Sequence, residues 1–125
     1  MTTEGRHHDL ADLLDRCLRN PILGLCEGVS ITWVTSTKGR VHRIILGSYD
    51  RTKGRIEIND RLDRWYVPEY VLLDVIRHEL LHRLVGWTSR DDQHGPVFMR
   101  AERSFGSHGR AEAWIERNQH RLFRG

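Results

Sequence analysis

His78, Glu79 and His82 fall within one short run, His78-Glu79-Leu80-Leu81-His82. On a helix, residues i and i+4 share a face, so the two imidazoles can point at one metal ion. Zinc takes imidazole nitrogens at about 2.0–2.1 Å, and Glu79, next to His78, then projects beside it. A carboxylate there can take a proton from water that the metal acidifies to a pKa of about 7. Two nitrogen donors, a carboxylate base and an activated water are the working parts of a metal-dependent hydrolase. The residues around this run are strongly apolar, and polar groups buried among them without partners would be costly. A metal and its water satisfy all three.

Catalytic zinc commonly has three protein ligands and one open position. The metzincin arrangement would need Gly and His where Val85 and Thr88 stand, which excludes that class. A glutamate from a downstream helix is one alternative, with Glu102 and Glu112 available, although both read as surface charges. His94 is the favoured third donor. It follows the helix after a polar loop, and Gly95-Pro96 behind it can open the next helix. His108-Gly109 repeats the His-Gly pair. His108 reads as a helix-cap histidine at the surface, with a metal ligand or an electrophile near a substrate carbonyl as the alternatives. Tyr49, Tyr66 and Tyr70 are available as oxyanion donors, and sequence does not choose among them. Asp74, four residues before His78, is placed either to brace that imidazole or to pair with Arg77.

These groups need a scaffold. Leu10, Leu13, Leu14 and Leu18 recur at helical spacing and predict an amphipathic helix from about Asp9 to Arg19, stopped by Asn20-Pro21. From Gly28 the period changes to two, with Val29, Ile31 and Trp33 on one side. Two further β-rich runs follow, Val41 to Tyr49 and Arg55 to Asn59, separated by turn chemistry at Ser36–Gly39 and Asp50–Gly54. Short turns favour antiparallel hairpins, so a three-stranded antiparallel meander is expected. Pro68 to Val85 carries apolar residues on more than one face and predicts a central buried helix ending at Gly86. Pro96 opens another helix through Val97, Phe98 and Ala101, and a last one is expected from about Arg110 to Leu122. The expected class is α+β.

The 125 residues suit one domain, here residues 1–125, with 38% apolar and 30% charged residues as in globular proteins. No apolar run approaches the roughly 20 residues needed to span a bilayer, and no secretory pattern opens the chain. Cys17 and Cys26 are too few for a four-thiolate zinc site or a disulfide scaffold, so free thiols and a cytoplasmic setting are expected. The net charge of +3 is far from the dense basic footprint of a dedicated nucleic-acid binder. The arginines of the tail read as a solvated helical face, and His7-His8 as a mobile surface pair.

His78-Glu79-Leu80-Leu81-His82 followed by His94-Gly95-Pro96-Val97-Phe98 resembles the SprT-like zinc metallopeptidases, the family of the DNA–protein crosslink protease Spartan. Leu46–Asp50 and Arg55–Leu62 look like the segment that precedes the family's active-site helix, and the resemblance extends over roughly Leu10 to Phe105. It implies a zincin-like domain in which His78, His82 and His94 bind one zinc ion and Glu79 is the general base. Better-known members often carry a cysteine-rich zinc ribbon, and this chain has no such cysteines. The expected function is therefore that of a minimal catalytic domain, a monomer cleaving extended or unfolded polypeptide, with DNA playing at most a weak part. Two other readings are a zinc-binding module without turnover and a protease acting on DNA-bound proteins.

Overall fold

The structure is a computed structural model that describes residues 2–35, 46–85 and 95–123. The first helix, α1 (Leu10–Leu18), begins where Asp9 caps it, the Asp9 carboxylate accepting from the Ala11 amide at 3.0 Å. Leu10, Leu13, Leu14 and Cys17 face inward, as the leucine spacing predicts. After α1 the Asn20 side chain accepts from the Ile22 and Leu23 amides and starts a short 3-10 turn at Leu23–Cys26. Both cysteines are free and buried, and burial pushes the Cys17 thiol up to about 11.

Three strands follow, β1 (Ser30–Val34), β2 (Gly47–Asp50) and β3 (Arg55–Asn59), in the order β1-β3-β2. The expected all-antiparallel meander is not what forms. β2 and β3 are an antiparallel hairpin, with Tyr49 opposite Ile56, and the Asp50 carboxylate accepts from the Thr52 and Lys53 amides in the turn. β1, however, pairs in parallel with β3, Ile31 beside Ile56 and Trp33 beside Ile58. The reason lies in the connections. The link between β2 and β3 is a tight turn, whereas the sequence between the end of β1 at Val34 and the start of β2 at Gly47 is long enough to step over one strand position, about 10 Å. β3 then enters the gap, and its central place removes Ile56 and Ile58 completely from solvent. The predicted turn at Ser36–Gly39 and the start of the second β-rich run lie outside the described residues.

The central helix is α2 (Glu69–Val85), directly after Pro68. Val71, Leu72, Ile76 and Leu80 are fully buried, and α2 packs against α1, β2 and β3 as well as against the helices that follow. Those are α3 (Pro96–Arg103), with proline in its first turn, α4 (His108–Arg117) and α5 (Gln119–Phe123). The single last helix expected from the sequence is thus two. The break falls at Asn118, whose side chain and amide both turn back to the Trp114 carbonyl. Among the described residues no helix is long and apolar enough to cross a membrane.

The N-terminal arm is anchored, not loose as the His7-His8 pair suggests. The Asp63 carboxylate accepts from the amides of Arg6, His7 and His8 at 2.7–3.1 Å, and the His8 ring reaches the Arg64 carbonyl. Thr2 lies along β1, its carbonyl accepting from the Trp33 amide at 2.9 Å.

Candidate active site

His78, Glu79 and His82 all lie in the second half of α2. The two imidazoles converge, with 3.2 Å between their Nε2 atoms. Their floor is Phe98 of α3, fully buried, with its ring centroid 5.0 Å from that of His78 and 4.7 Å from that of His82. The apolar end of the His94–Phe98 run is therefore a wedge that sets the angle of both rings.

Glu102 stands one helical turn beyond Phe98 on the same face of α3. Its Oε2 meets His78 Nδ1 at 2.5 Å, and its side chain is only 13% exposed. It is not the surface charge that the sequence suggests. A carboxylate on Nδ1 holds the proton there and leaves the Nε2 lone pair for a metal, as ligating histidines commonly require. Two nitrogens around a tetrahedral zinc stand about 3.3 Å apart, so the observed 3.2 Å fits such an ion. Among the described residues no group of three donors surrounds that point. His94 lies outside the described residues, as does the loop before it.

Glu79 lines a cleft together with His78 and is 6% exposed. Burial raises its carboxyl to about 7, against the lowering effect of His78 and with a further push from the Glu102 charge. The cleft, of about 700 Å³, has Gly47 of β2 on one wall and Glu112 and Ile115 of α4 on the other.

Asp74 and His108 take places that differ from both sequence expectations. Asp74 neither braces His78 nor pairs with Arg77, which donates instead to Ser107 Oγ at 3.1 Å. Asp74 is 5% exposed and its Oδ1 lies 2.9 Å from His108 Nδ1. His108 opens α4, but it is no surface cap: its side chain is 12% exposed and lines the cleft. Its Nε2 is 3.5 Å from Glu102 Oε1 and 3.4 Å from Glu112 Oε1. Burial opposes its charging, yet the Asp74 hydrogen bond and the three carboxylates outweigh it, so its pKa is raised. Burial raises Asp74 as well, in spite of the His108 bond.

None of the three tyrosines lines this cleft. Tyr49 OH accepts from Arg83 at 2.7 Å, Arg121 covers the Tyr66 ring, and Arg110 covers the Tyr70 ring. Glu102 and His108 were thus the site residues that sequence reading placed wrongly. Glu102 had one usable signal, its spacing of four from the inward-facing Phe98. His108 had the repeated His-Gly pair.

The sequence matches no family model and no curated protein. The fold does find a counterpart among solved structures, the crystal structure of the metallopeptidase zymogen of Methanocaldococcus jannaschii jannalysin. The two agree with a TM-score of 0.65 over 98% of this chain and 97% of that chain, at 18% identity. This chain thus shares the α+β fold of that solved structure.

Proposed function

We propose that this chain is a zinc-dependent endopeptidase acting on extended polypeptide. The observation that carries the reading is the convergence of His78 and His82, Nε2 to Nε2 at 3.2 Å, with His78 and the buried carboxylate of Glu79 lining one open cleft. His78 and His82 would hold the metal. His94, the remaining histidine of the SprT-like pattern, is the third donor in this reading, and Glu102, resting on His78, is its rival. Bound zinc supplies a Lewis acid that polarises a scissile carbonyl and lowers the pKa of water. Glu79 takes the proton from the attacking water and carries it to the leaving amine, a role for which a pKa near neutrality is suited. Burial of Glu79 keeps solvent from competing for that proton.

The substrate class follows from the sheet. β3 is central, and the N-terminal arm occupies β1 through Thr2. Among the described residues β2 is the other edge, and its first residue, Gly47, lines the cleft. An extended peptide pairing with β2 would lay its backbone past Glu79, and such pairing reads main chain more than side chain. Asp74, Glu79, Glu102, Glu112 and Glu116 line the cleft, which favours polypeptide over a polyanion such as DNA.

The test is metal content of the chain purified without chelator, together with cleavage of an unfolded protein. One zinc per chain is expected, lost on His94→Ala. Loss of zinc on Glu102→Ala but not on His94→Ala would make Glu102 the third ligand. Stoichiometric zinc without any cleavage would favour the non-catalytic module.

A further inference from the structure

Asp74, Glu102 and His108 come from three helices and meet behind His78. Asp74 lies one turn before His78 on α2, Glu102 is on α3, and His108 is the first residue of α4. Their contacts run in one line. Asp74 Oδ1 meets His108 Nδ1 at 2.9 Å, His108 Nε2 faces Glu102 Oε1 at 3.5 Å, and Glu102 Oε2 meets His78 Nδ1 at 2.5 Å. His78 Nε2 then faces His82.

We propose that His108, held by Asp74, is a positioning residue that acts through Glu102 on the orientation and tautomer of His78. The proposal rests on the metal-site reading for its purpose, while the line of contacts from Asp74 to His78 stands on its own geometry.

The physical need is specific. Glu102 can hold a proton on His78 Nδ1 only while its Oε2 stays an acceptor in a fixed place. Its side chain is 13% exposed, and Asp74 and Glu79 put two more largely buried carboxylates nearby. Three such groups in one wall repel one another and lose hydration. A donor between them is required. His108 is placed to meet it, with Nδ1 given to Asp74 and Nε2 turned to Glu102 and Glu112. Asp74 fixes the ring, so the ring fixes which way Oε1 of Glu102 points, and Oε2 is then left for His78. A histidine that only fastened α4 to α2 would need the Asp74 bond and nothing further.

The experiment uses the full chain and two readouts. The first is the nitrogen resonances of His78 in metal-free protein labelled at its histidines, which report whether Nδ1 or Nε2 carries the proton. The second is zinc affinity by competition with a chromophoric chelator. In the wild type the proton is expected on His78 Nδ1. Both Glu102→Ala and His108→Ala should turn it into a mixture of tautomers, while Glu102→Gln, whose carbonyl oxygen still accepts, should restore the Nδ1 form. Zinc binding should weaken by about 10–100-fold in Glu102→Ala, with His108→Ala at the lower end of that range. The double variant should be no weaker than Glu102→Ala by more than about twofold, because the two residues act in series. If His108→Ala proves unfolded by circular dichroism, His108→Gln and Asp74→Asn are measured in the same two ways, with the same expected loss of the fixed tautomer. A His78 tautomer unchanged in the folded His108 variants overturns the proposal, as do fully additive losses in zinc affinity. Absence of zinc binding by the wild type would overturn the metal-site reading instead, and the tautomer measurement would still decide the chain.

Discussion

Gly47 of β2 lies against Glu79 of α2: a methyl group on Gly47 would stand 3.4 Å from Glu79 Oε2 and 2.8 Å from Val75 Cγ1. The strand therefore packs on α2 too closely for a side chain at 47, the clash falling on Val75 while Glu79 stays at ordinary contact distance. Substitution by Val should force β2 away from α2, at a cost of about 1–3 kcal/mol from overpacking. Since the atoms nearest a side chain at 47 belong to Val75, Ile58 and Glu79 and to neither imidazole, zinc affinity of Gly47→Val should stay near that of the wild type while kcat/KM falls. Chelator competition and peptide kinetics check this, and unchanged kinetics would show that substrate does not pass along β2.

Glu79→Gln separates holding the metal from using it. Glutamine cannot accept the proton, so turnover should drop by about 10²–10⁴-fold while one zinc per chain is kept. Loss of the zinc in this variant would instead make Glu79 a ligand.

The raised pKa of Glu79 has a consequence for stability. The folded carboxyl holds its proton up to about pH 7, whereas the ordinary value for the free group is 4.5. Between those values the folded state binds more protons, so its stability falls as pH rises. For Glu79 the loss amounts to about 3 kcal/mol, complete a little above pH 7. His78 and His108, also raised, add a fall of the same sign, since their stabilisation is present below the unfolded pKa and lost as pH passes the folded one. Urea unfolding of the metal-free chain at pH 5 and pH 8 should show a clearly smaller loss for Glu79→Gln than for the wild type. Equal losses would remove Glu79 from the account.

Cleavage should be broad on flexible polypeptide and slow on folded protein. Single-stranded DNA should stimulate it little, given the carboxylates along the cleft. The assay is cleavage of an unfolded protein with and without DNA at two salt concentrations. Strong stimulation that high salt abolishes would favour the protease acting on DNA-bound proteins.

The sequence by itself determined the elements and the heart of the site. Leucine spacing specified α1, apolar residues all round specified a buried α2, and an i, i+4 pair on that helix brought two imidazoles together. These are local relations, decided by helix geometry within a few residues of chain. The tertiary structure alone decided the rest. Strand pairing depends on what the longer link between β1 and β2 can reach, so β1 became the parallel neighbour of β3 and left β2 as the edge beside Glu79. Asp74, Glu102 and His108 each carry a bland surface reading in one dimension. They meet only because α3 and α4 both pack on α2, and it is burial against one another that turns three ordinary polar residues into the support of His78.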